Sequence, residues 1–180
     1  VRVELDRALS TFAGVTILVT HDPLDAMLLA DRVLVLEQGR LVQDDAPGDL
    51  ARRPATPYVA ALVGVNLLRG SASGGTLALA DGGTLAIADP AIAGPVAATI
   101  RPEAVTLHRS RPEGSARNVW AGTVASLQPA FDRVRVWIDA QPSVVATVTP
   151  AAVADLGLGP GAPVWLSVKA VEIDVYASPH

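Results

Sequence analysis

The sequence predicts two unlike parts in one chain: an α/β fragment over residues 1–64, then a mainly β barrel of OB type over residues 65–180. Three observations carry this. The first part orders its apolar periodicities as helix, strand, helix, strand, an α/β pattern. From Leu67 the segments become short, alternating and punctuated by Gly, Pro and Asp, as in a small β-barrel. The change of texture falls at Gly64–Asn66, which sets the expected domain boundary. One helix and two sheet strands do not complete a doubly wound sheet. The α/β part therefore reads as cut from something longer, and Val1 is not a natural start.

Val1–Phe12 reads as a helix, with Val1, Leu5, Ala8, Leu9 and Phe12 on one face and Gly14 after its end. Val15–Thr20 is a continuous apolar, β-branched run, expected as a strand buried on both faces. His21 stands where that strand ends. Asp22 is placed to cap a helix with Pro23 at its first position and Asp25 in its first turn. Val33–Leu36 is expected as a second buried strand, Gln38-Gly39 as a turn, and Leu41-Val42 as the start of a return strand. Short helices follow at Asp44–Arg53, opened by Pro47, and at Tyr58–Val63.

In the second part, Thr76–Leu79 and Thr84–Ala88 flank Asp81-Gly82-Gly83, a hairpin signal. Val96–Arg101 and Ala104–His108 come next, then a polar loop at Arg109–Ala116. Val119–Leu127, Arg133–Asp139 and Val144–Val148 read as strands, the middle one alternating Val134, Val136 and Ile138 against Arg133, Arg135 and Trp137. Thr149-Pro150 opens a short helix that Gly157 ends. Val164, Leu166 and Val168 point inward on the next strand, and Val171–Tyr176 closes the chain. Ala98–His108 and Leu166–Tyr176 echo each other as strand, basic residue, kink and strand, which hints at two half-barrels.

Composition narrows the classes. Half of the 180 residues are hydrophobic, but no run approaches the roughly 18 apolar residues of a membrane span. Cysteine is absent, which excludes disulfides and thiolate metal sites and fits a cytoplasmic protein. No metal site is expected. A net charge of −4 and scarce aromatics give no support for nucleic-acid binding. Lys169 is the sole lysine among 14 basic residues.

A histidine at the end of a buried strand, before a helix, lies where open α/β sheets place ligand chemistry. The block around it, T-H-D, then A-x-x-L-A-D-R, then V-L-x-x-G-R-L, resembles the switch-histidine segment of ABC-transporter ATPases over nearly every position from Val15 to Val42. That resemblance implies that His21 contacts the γ-phosphate of ATP in the intact protein and that Asp22 helps to position its loop. The P-loop pattern G-x-x-x-x-G-K-[ST], the signature LSGGQ and the Walker B run precede such a segment in the family and do not occur in this sequence. The fragment alone is therefore expected to need no cofactor and to be inactive, while the intact ATPase uses ATP and Mg²⁺.

Ser115-Ala116-Arg117-Asn118, the run T-P-x-x-V-x-D-L-G-L-x-P-G and Val168-Lys169-Ala170 resemble the molybdate-binding MOP or TOBE domain over Ser115–Tyr176. Such domains follow the ATPase in molybdate importers and form small molybdate-storage proteins. A tetrahedral dianion needs several converging donors, and hydroxyls, cationic side chains and backbone N–H groups supply them. By the resemblance, Ser115, Arg117 and Lys169 bind the oxyanion at a site between subunits, with Ala116 and Asn118 offering backbone or amide donors. Val171 stands where many members carry Ser, which removes one hydroxyl.

Together these resemblances imply the C-terminal part of an ABC importer's ATPase subunit, molybdate or tungstate type. It would work as a homodimer with integral-membrane permease subunits and a periplasmic or extracellular binding protein, peripheral on the cytoplasmic face of the bacterial cell membrane. Its TOBE domain is expected to dimerise and sense the oxyanion. Two alternatives stay open: an ATPase subunit for another cargo (sulfate, iron, polyamine or sugar), and a stand-alone oxyanion-binding protein without enzymatic activity.

Overall fold

A computed structural model describes residues 2–178. The chain divides into two compact units, Val1–Val63 and Gly64–His180.

In the first unit, helix α1 spans Arg2–Thr11. Val1 of its expected apolar face lies outside the described residues, as does the burial of Ala8. Phe12 falls past the helix end and is exposed. The expected strand Val15–Thr20 does not form: residues 12–20 pair with no strand, and Val15 and Val19 are 93% and 91% exposed. A strand buried on both faces needs a neighbour at each edge and a layer on each side. No described residue supplies either to this run.

Helix α2 is Pro23–Leu29, and strands β1 (Val33–Glu37) and β2 (Arg40–Asp45) form an antiparallel hairpin. Gln38 and Gly39 in its turn have φ of 51° and 75°, the pair of positive values a tight primed turn requires. β1 is buried on one face only, a second departure from expectation: Val35 is inside, while Leu34 and Leu36 are exposed. Period-two alternation puts those leucines on the face that nothing covers. Helices α3 (Pro47–Arg52) and α4 (Pro57–Val63) bring Leu50 and Val59 onto Val35. Asp44 and Asp45, expected in the helix, finish β2 instead. Buried Gln43 fastens that strand to the chain beyond α3, donating from Nε2 to the Arg53 carbonyl at 3.0 Å and accepting the Ala55 N–H at 2.8 Å. No helix here or elsewhere among the described residues is long and apolar enough to cross a membrane.

The second unit is mainly β. Its first half runs β3 (Asn66–Ser73), β4 (Thr76–Leu79), β5 (Thr84–Ala86) and β6 (Gly94–Ile100), then a 3-10 turn (Pro102–Ala104) and β7 (Thr106–His108). Its second half repeats the plan: β8 (Asn118–Ala130), β9 (Arg133–Ala140), β10 (Val144–Val148), α5 (Pro150–Leu156) and β11 (Pro163–Val168), then a 3-10 turn (Ala170–Glu172) and β12 (Ile173–Ala177). The sheets are ordered β10-β9-β8-β11-β7 and β12-β6-β3-β4-β5. Each half thus contributes its last strand to the sheet of the other. The echo in the sequence is this repeated strand, turn and exchanged strand.

One core joins the two sheets through Leu77, Leu85, Ile100, Val136, Ile138, Leu166 and Val168. Val164, Leu166 and Val168 are buried as their alternation demands. Thr149 Oγ1 accepts the Ala152 N–H at 3.1 Å to cap α5, and Gly157, at φ 65°, ends it. Gly70 and Gly122 are counterparts in the two halves. A Cβ on Gly70 would lie 2.0 Å from the Ala78 carbonyl oxygen, and one on Gly122 would lie 2.7 Å from Ile138 Cγ2, so neither strand crossing admits a side chain there.

Two buried asparagines clasp the halves together. Asn66, at the start of β3, accepts the Val145 N–H at 2.6 Å and donates to the Val145 carbonyl at 2.9 Å and the Ile100 carbonyl at 3.1 Å. Asn118, at the start of β8, accepts the Ala86 N–H at 2.6 Å and donates to the Ala86 carbonyl at 3.0 Å. Each carboxamide behaves as a one-residue strand on the edge of the opposite half.

Candidate functional site

The sequence-nominated residues fall into two groups. His21 and Asp22 lie in the first unit, before α2. Asp22 caps that helix, accepting the Leu24 N–H at 2.8 Å through Oδ1 while its own N–H donates to Thr20 Oγ1 at 3.0 Å. His21 is exposed in the bend that precedes it. Among the described residues, no three of His, Asp and Glu gather into a set that would hold a metal ion.

The remaining nominees sit at one end of the β8–β11 pair. Val168 is paired with Asn118, so Arg117 and Lys169, the residues just beyond that pair, leave the sheet side by side. Both are exposed, and neither side chain has a hydrogen-bond or ion-pair partner among the described residues. Ser115 is exposed in the bend leading into β8, and half-buried Ala116 follows it. Two cations at neighbouring strand ends without a counter-ion keep their field available to an anion. Lys169 opens the second 3-10 turn, as Arg101 opens the first, and exposed Val171 lies within that turn.

Of the two donors expected of Asn118, backbone and side-chain amide, the side chain is engaged within the fold. Its carboxamide oxygen and nitrogen both engage Ala86, and the side chain is buried. A carboxamide committed to an edge strand leaves the residue's backbone N–H as its remaining donor.

The clasp has a second effect that the sequence did not disclose. It draws the start of β8 against the β4–β5 hairpin and leaves a groove of about 320 Å³ between them. Leu77 and Leu85 point into the core, so Thr76 and Thr84 face outward. Both threonines line the groove with Arg117 and Gln141. Gln141 comes from the β9–β10 connection, where Trp120 Nε1 donates to the Pro142 carbonyl at 3.1 Å. Thr76, Thr84 and Gln141 escaped the sequence because nothing local marks them. The one usable signal was a polar Asn opening an apolar strand, which needs a buried partner.

The Arg109–Ala116 loop is tied down on its way to the site. Arg109 Nη2 donates to the Asp155 carbonyl, and the Arg111 guanidinium lies 5.7 Å from the Trp165 ring centroid. On the exchanged strand β7, His108 Nε2 is 2.9 Å from Ser167 Oγ.

Residues 114–175, within the two-sheet unit, match the family model of the TOBE domain. Over 172 residues the chain is 33% identical to the molybdenum import ATP-binding protein ModC of Mycobacterium tuberculosis, an alignment covering 91% of this chain and 47% of that protein. It is 39% identical over 128 residues to the sn-glycerol-3-phosphate import ATP-binding protein UgpC 3 of Agrobacterium fabrum, covering 68% of this chain and 34% of the relative. Among solved structures, the cytoplasmic molybdate-binding protein ModG with molybdate bound superposes with a TM-score of 0.57 at 27% identity, over 62% of this chain and 95% of that one. The chain spans about half the length of the curated ModC relative it matches.

Proposed function

We propose that this chain is the C-terminal part of the ATP-hydrolysing subunit of an ABC importer for molybdate or tungstate, and that its TOBE unit binds the oxyanion to regulate transport. The observation that carries this is the position of Arg117 and Lys169, each with an unpartnered side chain, just beyond the last residue pair of β8 and β11. It occurs in a fold shared with a molybdate-bound protein and in a chain similar to a molybdenum importer subunit over most of its length.

In this reading Ser115, the Ala116 N–H, Arg117 and Lys169 surround the oxyanion at a contact between two copies of the chain. The cations offset the dianion's charge, and the hydroxyl and N–H satisfy its remaining lone pairs. The intact subunit is a cytoplasmic ATPase, peripheral on the membrane, that works as a homodimer with permease subunits and an external binding protein. His21 faces the nucleotide phosphates there, with Asp22 holding its bend. The residues present do not make a holding set for ATP or Mg²⁺: the chain has no P-loop pattern, and His21 stands exposed without a carboxylate cluster. Nucleotide and metal are held by the rest of the subunit, and this chain alone turns over no ATP.

The deciding experiment is calorimetric titration of the chain with molybdate, with sulfate as competitor, repeated on Lys169→Ala. Losing one charge-assisted hydrogen bond is worth about 1.5–3 kcal/mol, or roughly 10- to 150-fold in affinity. Absence of heat from the folded wild-type chain would overturn the oxyanion reading. A second reading, an importer subunit for another anionic cargo, is favoured by Val171 and by the glycerol-phosphate importer relative. Sulfate or a phosphate ester displacing molybdate would select it.

A further inference from the structure

We propose that His108 and Ser167 form a proton-operated relay beside Arg117 and Lys169, one that tightens the unit's hold on an anion there as pH falls. The inference rests on the oxyanion reading of those two cations and adds its regulation, which comes from the exchanged strand β7.

Alternation sets the relay next to the cations. Val164, Leu166 and Val168 fill the core from β11, so Trp165 and Ser167 stand on the opposite face of that strand. Lys169 is still extended, at φ −74° and ψ 141°, and carries the same face one step further. Ser167 is two residues before it, about 7 Å along the strand. The residue paired with Ser167 on β8 is Val119, two residues beyond Arg117. On the other side Ser167 pairs with Thr106 and Trp165 with His108, which places the imidazole diagonal to Ser167.

Ser167 is 7% exposed, and His108 Nε2, 2.9 Å away, is the one side-chain partner of its hydroxyl among the described residues. Histidine is the side chain that ordinarily changes charge between about pH 5 and 8. With the imidazole neutral, the Ser167 hydroxyl donates to Nε2 and is spent inside the pair. A proton taken from solvent onto Nε2 reverses the bond: the ring N–H donates, Oγ accepts, and the hydroxyl hydrogen is released to another acceptor. The same proton adds a positive charge close to Lys169.

No neighbouring carboxylate cancels that charge. Arg109 and Arg111 follow His108 on the loop, the first bonded to the Asp155 carbonyl and the second near the Trp165 ring. Asp155 lies near the end of α5, Glu113 on the loop, and Glu103 and Glu172 in the two 3-10 turns. None of these pairs with His108, whose side chain bonds Ser167 alone among the described residues. A dianion at Lys169 and a proton on His108 therefore attract each other, and each strengthens the other's binding by the same factor. One added charge about 7–10 Å from a dianion is worth roughly 3- to 10-fold in affinity near a protein surface.

The test is calorimetric titration of the full chain with dilute sodium molybdate at about pH 6 and about pH 8, the two sides of the histidine range. The proteins are wild type, His108→Gln and Ser167→Ala, each checked for its fold by circular dichroism. The wild type is expected to bind roughly 3- to 10-fold more tightly at the lower pH, His108→Gln equally at both, and Ser167→Ala with part of the wild-type slope. NMR titration of the wild-type His108 ring with and without molybdate needs no variant. By reciprocity its midpoint should move to higher pH by about 0.5–1 unit when the anion is bound. Equal wild-type affinity at both pH values, a slope that survives in His108→Gln, or an unmoved ring midpoint would overturn the relay and leave the Arg117 and Lys169 reading intact. No binding of molybdate at either pH would overturn both.

Discussion

Replacing Asn118 with alanine removes the side chain that substitutes for a strand on the edge of β5. Two hydrogen bonds disappear, at 2.6 and 3.0 Å, and the Ala86 N–H and carbonyl lose their partners. Each bond is worth about 0.5–1.5 kcal/mol net, and each polar group left dry costs about 1–3 kcal/mol. Ala86 is only half-buried, so water recovers part of that loss. The expected destabilisation is about 2–3 kcal/mol. For a domain of this size that lowers the melting temperature by roughly 8–20 °C. Asn66→Ala breaks three bonds, one of them fully buried, and should cost more, about 3–4 kcal/mol. Urea and thermal unfolding of the chain, followed by circular dichroism, give both numbers. If Asn118→Ala unfolds within about 0.5 kcal/mol of the wild type, the clasp does not hold the halves together.

Gly70→Ala should destabilise by about 3 kcal/mol or more, because its Cβ would overlap the Ala78 backbone oxygen, which cannot move without breaking the β3–β4 ladder; a wild-type urea midpoint for this variant would contradict the close approach. The Arg32–Asp44 pair, with contacts of 2.6 and 2.9 Å, sets a pH dependence. The hydrogen bond from Arg32 holds the Asp44 carboxyl below its ordinary value, so its stabilisation is present above the unfolded carboxylate's range and is lost as pH falls through the lower folded value. Asp44→Asn should thus lower the unfolding midpoint at neutral pH, by a small amount for so exposed a pair, and should match the wild type in strong acid; a difference that grows with acidity would reverse the sign.

Legibility followed the range of the interaction responsible. Val134, Val136 and Ile138 on β9, and Val164, Leu166 and Val168 on β11, declare their inward face by alternation, and Thr149 with Gly157 mark the two ends of α5. These features depend on neighbours a few residues away. Strand β3 did not declare itself, because Gly70, Ser71 and Ala72 blur the alternation. Gly70 is there for its contact with Ala78, which only the fold reveals. Val15–Thr20 misled in the opposite direction. Its composition suits a buried strand, but a strand is a relation between segments, and its partners are not among the described residues. At the candidate site, Ser115, Arg117 and Lys169 were nominated through the resemblance of their motifs to the MOP or TOBE domain. Thr76 and Thr84 come beside Arg117 through the Asn118 clasp, across more than thirty residues of chain, and Gln141 through the loop that Trp120 holds.

The exchange of β7 and β12 also governs what half of this unit could do alone. Cut between β7 and β8, the first half would keep its four-stranded sheet with an open flank along β6, where β12 now lies, while carrying a short terminal strand with nowhere to dock. A second identical half would satisfy both needs at once, each lending its tail to the other's flank. A polypeptide encoding one half would be an obligate pair, and the tandem arrangement makes covalent, within one chain, a partnership that separate chains would otherwise have to find by diffusion.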